Sequence, residues 1–138
     1  ESVDVLAMNE LEAEALTGEN TGLKLNVAAN YGGRWDIVQA SKKLAEKVKS
    51  GALDVEQINE DLFDVETSFS NQQPLDLLIR TGGEVRVSNF MLWQLAYAEL
   101  YFSPVFWPEF DEREFAIAIE SFAGTERRFG LTGEQVSS

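Results

Sequence analysis

The stretch from residue 75 to residue 99 constrains the fold of this chain more than any other part of the sequence. It opens with Leu-Asp-Leu-Leu-Ile at 75–79, a short apolar run that is typical of a strand covered on both faces, as in a parallel sheet. The run ends at Arg80, and Thr-Gly-Gly follows at 81–83. Because glycine adopts conformations closed to other residues, these positions predict a sharp turn that also lets the backbone approach a ligand closely.

A second arginine and a helix start follow the glycine turn. Arg86 comes first, and Ser88 and Asn89 are N-cap candidates for a helix that we predict over the apolar segment 90–98. Guanidiniums and the N–H groups of a helix start both bind phosphate oxygens, so the pattern favours an anion site at the carboxyl end of a buried strand. The alternative is an ordinary strand-to-helix loop with two solvated arginines, and spacing alone does not separate the two.

The composition excludes several kinds of chemistry. The 138 residues, 44% of them hydrophobic, suffice for one globular domain with one core. Without cysteine the chain forms neither disulfides nor thiolate metal sites, and without histidine it lacks the Ser-His and Cys-His nucleophile systems. Any proton or metal chemistry must therefore use Asp, Glu, Lys or Tyr.

The formal net charge of −13 argues against a nucleic-acid partner. A polyanionic ligand would need a local basic pocket or a divalent cation. No apolar run is long enough to span a bilayer. The N-terminus, Glu-Ser-Val-Asp-Val at 1–5, has neither an initiating Met nor a basic region, so we expect it to be neither a signal peptide nor a native start, and the chain to be a fragment.

Helical and strand patterns alternate along the chain. Helical periodicity and caps predict helices over 1–17, 35–50 and 111–123, and a short helix beginning at Asp54. Strand patterns predict three strands, at 23–29, 75–80 and 99–103. This alternation predicts an α/β fold, a parallel sheet covered by helices, of which about three strands are present here. The polar residues 131–138 are expected to form a disordered tail.

Five strings of residues carry a resemblance to a known family. They are Asn30-Tyr-Gly-Gly-Arg-Trp-Asp36, Ile79-Arg-Thr-Gly-Gly-Glu84, Arg86-Val-Ser-Asn-Phe90, Leu92-Trp-Gln-Leu-Ala-Tyr-Ala-Glu-Leu-Tyr-Phe102 and Arg127-Arg-Phe-Gly130. In this order they resemble the C-terminal half of the cis-prenyltransferases, in particular the undecaprenyl diphosphate synthase-like members, over about residues 15 to 130.

The resemblance implies an enzyme that condenses isopentenyl diphosphate units onto farnesyl diphosphate in cis, with Mg²⁺ as cofactor. The product would be a long polyprenyl (undecaprenyl) diphosphate that carries cell-wall precursors and partitions into the membrane. The protein is then expected to be a homodimer, cytoplasmic and peripheral at the inner membrane face. The aromatic-rich segment 90–106 is the expected subunit interface, because aromatic residues concentrate in interfaces.

The resemblance also implies site residues, position by position. Arg80, Arg86 and Ser88 correspond to ligands of the isopentenyl diphosphate. Glu99 corresponds to a catalytic carboxylate that binds Mg²⁺, which agrees with the preference of this ion for carboxylate and phosphate oxygens. Two further substrate contacts, with a weaker basis, are expected at Asn30 and Glu84.

Three further features show where the sequence agrees with the family and where it departs from it. Arg128 and Gly130 match an Arg-x-Gly element that, in the family, reaches the substrate site of the partner subunit. Val85 departs from the family, whose bacterial members often carry histidine there, which puts a proton-relay role for that position in doubt. The family's N-terminal Asp-Gly-Asn-Gly-Arg-Trp-type motif is absent. Residues 1–138 are therefore expected to be the C-terminal part of a single catalytic domain, inactive on its own.

Two other functions stay open at this point. A non-catalytic partner subunit of a heteromeric prenyltransferase would also lack the N-terminal motif, but it need not keep Arg80, Arg86, Ser88 and Glu99. An unrelated nucleotide-binding α/β domain is the second alternative. It is weakened because the sequence contains neither a P-loop string nor a Gly-x-Gly-x-x-Gly fingerprint.

Overall fold

The computed structural model describes residues 5–8, 26, 28–70 and 72–125. Within these residues the chain forms three strands, β1 (Val5–Met8), β2 (Leu77–Arg80) and β3 (Glu99–Phe102). It also forms three α-helices, α1 (Gly33–Lys49), α2 (Glu60–Glu66) and α3 (Glu112–Ala123). The chain divides into two compact units: the first unit contains β1, β2, β3 and α3, and the second unit contains α1, α2 and the segment 87–96.

The sheet of the first unit is centred on β2, whose four residues are all buried. The strand order is β1-β2-β3, and β2 pairs in parallel with β3, with Leu77 opposite Glu99 and Arg80 opposite Phe102. Strand β1 pairs with the other edge of β2 in the antiparallel direction. The α/β class and the strands predicted at 75–80 and 99–103 are therefore confirmed.

The core of the first unit lies between β2 and α3. Leu77 and Ile79 point to the same face of the sheet because side chains alternate along a strand, and both pack with Ala118 of α3. The aromatic and aliphatic side chains around this cluster are partly buried: Tyr101, Phe110, Phe115, Ile119 and Phe122. The carboxylate of Asp111 accepts a hydrogen bond from the N–H of Glu114 at 3.0 Å, so α3 begins with the predicted cap.

The second unit is built on α1, which confirms the helix predicted over 35–50. Asn59 caps α2 by accepting a hydrogen bond from the N–H of Leu62 at 2.9 Å. The Lys43 ammonium donates to the carbonyl oxygen of Glu66 at 2.7 Å, and the Glu66 carboxylate pairs with Lys47, so two lysines of α1 bind the last residue of α2. No helix in the described part of the chain has the length and apolar character needed to cross a membrane.

The helix that we predict to begin at Asp54 is interrupted. A single 3₁₀ turn spans Val55–Gln57, Ile58 is extended, and α2 begins only at Glu60. The cause is the second cap at Asn59, whose side chain holds the first turn of α2 and whose own backbone is extended.

Of two predictions near the N-terminus, one is wrong and the other falls mostly outside the described residues. Residues 5–8, inside the helix predicted over 1–17, form strand β1, because an apolar run of this length suits either conformation and pairing with β2 satisfies its backbone. Most of the strand predicted at 23–29 lies outside the described residues, and Asn26 and Ala28, which are described, are not in a strand. The third strand of the sheet is thus β1, and it runs antiparallel.

The helix predicted over 90–98 is also wrong. The described structure there contains one 3₁₀ turn, Gln94–Tyr97. Ser88, Asn89 and Met91 have positive φ values of 46°, 64° and 41°, which belong to the left-handed region and are incompatible with a right-handed helix at those residues.

Candidate functional site

One carboxylate bridges two guanidiniums where β2 ends. Arg80 is only 8% exposed, and its Nη2 donates to Oε2 of Glu84 at 2.5 Å. The other oxygen of that carboxylate, Oε1, forms an ion pair with Nη2 of Arg86. The remaining Nη1 of Arg80 donates to the carbonyl oxygen of Arg86 at 2.7 Å. Arg80, Glu84 and Arg86 therefore form one hydrogen-bonded cluster, which we call the arginine cluster.

The charges of the arginine cluster are unequal in their burial. The side chain of Arg86 is 61% exposed and that of Glu84 is 44% exposed, so their ion pair is largely screened by solvent. The guanidinium of Arg80 is buried and needs its partners, because an uncompensated buried charge is costly. Two cations and one anion leave a net positive charge at this point of an acidic chain. Chemically, the cluster can receive an anion with several oxygens, since both guanidiniums already face a carboxylate.

The glycine turn after Arg80 has a structural role that the sequence did not reveal. Gly82 and Gly83 adopt φ values of 86° and 73°, as a sharp turn requires. Their N–H groups donate to the carbonyl oxygens of Val105 at 2.7 Å and Ser103 at 2.9 Å. Both N–H groups thus bind the segment after β3, and the expectation that this turn lets the backbone approach a ligand stays a prediction.

Glu99, the predicted metal ligand, lies at the other end of the strands from Arg80. It is the half-buried first residue of β3, and its N–H donates to the carbonyl oxygen of Asp76 at 2.8 Å. In the parallel register Leu77 is opposite Glu99, so about 10 Å of strand separates the level of Glu99 from that of Arg80. The structure therefore does not bring Glu99 into the arginine cluster.

As a single carboxylate, Glu99 is compatible with a magnesium ion that also binds phosphate. Among the described residues there is no group of three acidic side chains that could hold an ion by itself. Mg²⁺ commonly binds one or two carboxylates and completes its shell with water and phosphate oxygens. Glu99 alone can therefore supply a protein ligand of that kind.

The remaining predicted site residues belong to the second unit or are not described. Asn30 and Ser88 are both exposed, and both have a left-handed backbone, with φ values of 54° and 46°. Such conformations are uncommon for residues other than glycine and often occur at functional sites. Arg128 and Gly130 lie outside the described residues, so their roles stay predictions.

Asn89 is a structural residue whose partner the sequence did not identify. Its carbonyl oxygen accepts from the N–H of Gly33 at 2.6 Å, and its Oδ1 accepts from the N–H of Arg34 at 2.8 Å. Gly32 occupies the N-cap position of α1 and has no side chain with which to cap it. The preference of Asn for N-caps signalled the role, but for a helix at 90–98 rather than for α1.

A buried carboxylate, Asp36, has the hydrogen bonds of a structural residue. Its Oδ1 accepts from the backbone N–H of Ser68 at 2.9 Å and from the hydroxyl of Ser68 at 2.7 Å. Its Oδ2 accepts from the hydroxyl of Tyr31 at 3.0 Å. The pKa of Tyr31 is raised, chiefly because the side chain is buried. The hydrogen bond to Asp36 and the negative charge of Asp36 raise it further. Asp36 thus joins the first turn of α1 to the segment that follows α2.

Comparisons with known proteins point to one family. The family model described as undecaprenyl diphosphate synthase, a prenyltransferase family, matches residues 4–130. Ditrans,polycis-undecaprenyl-diphosphate synthase of Vibrio cholerae, described as (2E,6E)-farnesyl-diphosphate specific, is 58% identical over 127 residues, which are 92% of this chain and 51% of that protein. The enzyme of the same name from Escherichia coli strain K12 is 59% identical over 88% of this chain and 48% of its own length.

A solved structure gives the same picture for the fold. Lavandulyl diphosphate synthase from Lavandula x intermedia, crystallised in complex with dimethylallyl diphosphate, superimposes with a TM-score of 0.77 and 42% identity. The match covers 86% of this chain and 51% of that one. The chain therefore spans about half the length of the relatives that it matches.

Proposed function

This chain belongs to the undecaprenyl diphosphate synthase family of prenyltransferases, and from that premise we propose that it carries the isopentenyl diphosphate half-site of a cis-prenyltransferase. The proposed enzyme adds isopentenyl diphosphate units to farnesyl diphosphate in cis and makes a long polyprenyl (undecaprenyl) diphosphate. The relatives' names support the allylic substrate, because they specify (2E,6E)-farnesyl diphosphate.

The observation that carries this proposal is the arginine cluster. Two guanidiniums that share one carboxylate have donors directed at a common region, and the same donors suit the oxygens of a diphosphate. Arg86 is the more accessible of the two and would make the first contact, while the buried Arg80 supplies a charge that solvent screens less.

We assign Glu84 a positioning role in place of the substrate contact expected from the sequence. An ionised carboxylate has no proton to donate to a diphosphate oxygen and repels it electrostatically. Its two oxygens instead hold Arg80 and Arg86 on either side of one carboxylate. When a diphosphate binds, it would replace some of these hydrogen bonds, and Glu84 would keep the guanidiniums oriented until then. Ser88, which belongs to the second unit, remains a substrate contact proposed from its sequence motif alone.

Glu99 is the residue that we propose as a ligand for Mg²⁺. When bound, the ion neutralises charge on diphosphate oxygens and so eases departure of pyrophosphate from the allylic substrate. Because Glu99 and Arg80 lie at opposite ends of β2 and β3, we propose them as separate contacts rather than as one cluster.

The subunit arrangement is a further part of the proposal. We propose a two-fold homodimer whose interface includes segment 90–106, with Arg128 and Gly130 of each chain reaching the site of the other. In the first unit, three large side chains of this segment are 45–67% exposed: Tyr97, Leu100 and Phe106. Burial of such residues against a partner would remove apolar surface from water. We also propose a cytoplasmic enzyme, peripheral at the membrane that receives its product.

The test is turnover with defined substrates. Full-length protein incubated with farnesyl diphosphate, isopentenyl diphosphate and Mg²⁺ should yield long cis-polyprenyl diphosphates, whereas residues 1–138 alone should give none. Chromatography of radiolabelled products measures both. Inactive full-length protein with all substrates present would contradict the proposed activity, and sustained turnover by residues 1–138 would contradict the half-site assignment.

A further inference from the structure

We infer that Asn89 is a positioning residue that holds Ser88 in its substrate-binding conformation by capping α1. The inference rests on the proposed function, because it takes Ser88 as a contact of isopentenyl diphosphate. It gives a role to Asn89, which lies in the family-like string at 86–90 but to which the resemblance assigned no substrate contact.

The cap uses both oxygens of Asn89. The first N–H groups of a helix have no acceptor within that helix. At the start of α1 the N–H of Gly33 donates to the backbone oxygen of Asn89, and the N–H of Arg34 donates to the side-chain oxygen. Because Gly32 has no side chain to offer, both acceptors come from far along the chain, and the side-chain bond to Arg34 spans 55 residues. Asn89 is thereby held at its backbone and at its side chain together.

The backbone around Ser88 needs such support. Ser88, Asn89 and Met91 all have left-handed φ values, which residues with a Cβ rarely adopt and which persist only where the surroundings impose them. Asn tolerates this conformation better than most residues, but Ser and Met do not share that tolerance. Both neighbours of Ser88 are hydrogen-bonded: the carbonyl oxygen of Val87 accepts from the N–H of Phe90 at 3.1 Å within the same turn, and Asn89 accepts from the start of α1. Because the Asn89 bonds anchor this turn to another element, we assign the imposed conformation to the cap.

Packing next to the cap is equally close. A Cβ added to Gly33 would lie 2.7 Å from Cγ of Leu92 and 2.9 Å from its backbone nitrogen. The backbone of segment 87–96 therefore lies directly against the start of α1. The ring of Phe90 packs edge-on against Tyr31, with centroids 5.8 Å apart. These contacts place the Ser88 end of the segment against the first turn of α1.

The other end of the segment has its own attachment. The indole N–H of Trp93 donates to the Asp64 carboxylate at 3.2 Å, and the Trp93 ring lies 4.4 Å from that of Phe63. Loss of the Asn89 side chain should therefore free Ser88 locally without detaching the whole segment. The expected consequence is a weaker contact to the diphosphate while the fold persists.

The experiment compares four single variants at positions 88 and 89 of the full-length protein, together with one double variant and Arg86→Ala. Ser88→Ala removes the proposed contact, Asn89→Ala removes the capping oxygen, and Asn89→Asp keeps an oxygen acceptor and the tolerance for positive φ. Asn89→Gly is the second variant without the side-chain oxygen, and it guards against simple misfolding because glycine adopts a φ of 64° without strain. Steady-state kinetics give KM and kcat for each diphosphate, and hydrogen exchange at residues 33–36 reports the cap directly.

We expect Asn89→Ala and Asn89→Gly to raise the KM for isopentenyl diphosphate on the order of tenfold, as Ser88→Ala does, and to leave the KM for farnesyl diphosphate unchanged. Asn89→Asp should stay near the wild type. The decisive comparison is the double variant. The KM for isopentenyl diphosphate in Ser88→Ala combined with Asn89→Ala should be no higher than in Ser88→Ala alone, because Asn89 acts through Ser88.

Three outcomes overturn the inference. If the increases in the KM for isopentenyl diphosphate are additive in the double variant, Asn89 has an effect that is independent of Ser88. Faster exchange at residues 33–36 with an unchanged KM would make the cap purely structural. If Ser88→Ala and Arg86→Ala both leave the KM for isopentenyl diphosphate unchanged, the proposed function fails as well, whereas an unchanged KM in the Asn89 variants alone refutes only the positioning role.

Discussion

Glu84 accepts a hydrogen bond from the buried Arg80 at 2.5 Å while its second oxygen pairs with Arg86. A single carboxylate thus holds two guanidiniums that are six residues apart in the sequence. The relationship explains why an acidic residue belongs beside two basic ones in a proposed anion site. The proposed positioning role of Glu84 can also be tested separately from the proposed ligand roles of Arg80 and Arg86.

Replacing Arg86 with Ala should weaken the binding of isopentenyl diphosphate more than that of farnesyl diphosphate. Loss of a charge-assisted contact to a diphosphate should cost on the order of 2–3 kcal/mol in transition-state binding. Comparison of kcat/KM for the two substrates measures it. Arg113→Ala is the matched control, because Arg113 is an exposed arginine of α3. Equal losses for both substrates would show that the site assignment is wrong.

Replacing Glu84 should separate its positioning role from a ligand role. We expect Glu84→Ala to lower the free energy of unfolding by about 1 kcal/mol, because the buried guanidinium of Arg80 loses one partner but keeps the carbonyl of Arg86. Glu84→Gln, which keeps an acceptor oxygen, should raise the KM for isopentenyl diphosphate less than Glu84→Ala. Urea denaturation and steady-state kinetics measure these effects, and equal KM values in the two variants would refute the positioning role.

Adding a methyl group at Gly33 should destabilise the second unit. The new Cβ would lie 2.7 Å from Cγ of Leu92, so either the helix start or the segment must move, at a cost of about 1–3 kcal/mol. Gly124→Ala is a suitable control, since a Cβ there meets only ordinary contacts, the nearest at 3.5 Å. Thermal unfolding followed by circular dichroism compares them. A Gly33→Ala melting temperature equal to that of the control would contradict the packing described here.

The pKa of Tyr31 gives a pH dependence with a defined sign. Because its pKa is raised in the folded state, chiefly by burial, the folded protein keeps this proton at a pH where the unfolded chain releases it. The corresponding stability is fully present below about pH 10 and declines as the pH rises above that value. Urea unfolding at pH 8 and pH 11 should show a smaller decline in Tyr31→Phe than in the wild type. Identical declines would show that Tyr31 is not the group responsible.

Mixing subunits tests the proposed exchange of Arg128 between chains. In the full-length protein, Arg128→Ala and Arg80→Ala should each be nearly inactive alone. Mixed dimers should recover activity, because one of their two sites keeps both arginines. Tagged subunits and a pull-down verify that exchange has occurred. If exchange is verified and activity does not return, the two arginines serve one site from the same chain, or Arg128 serves none.

Elements with local signals could be predicted from the sequence. Helix α3 has a capping Asp111 followed by an apolar stripe, and the structure reproduces both. The buried strand β2 follows from the short apolar run that ends at Arg80. Helix α1 follows from its periodicity between the Gly-Gly turn and Gly51. In each case neighbours along the chain supply the hydrogen bonds or the apolar face that decides the conformation.

Segments that depend on distant partners could not be predicted in the same way. The apolar residues 5–8 suit a helix or a strand, and the free edge of β2 decides for a strand. The apolar segment 90–98 does not form the predicted helix, because Leu92 packs on Gly33 and Asn89 binds the start of α1. Local propensity in such short segments is weaker than the contacts that tertiary structure provides.

The candidate site divides along the same line. The sequence by itself determined which residue types are present: two arginines, a glycine turn, a serine and a pair of acids that match a family of diphosphate-using enzymes. Only the tertiary structure decided that Glu84 bridges Arg80 and Arg86, that the glycine N–H groups bind the segment after β3, and that Glu99 lies at the far end of the strands. The reason is that hydrogen bonds and ion pairs depend on distance through space, which separation along a chain does not reveal.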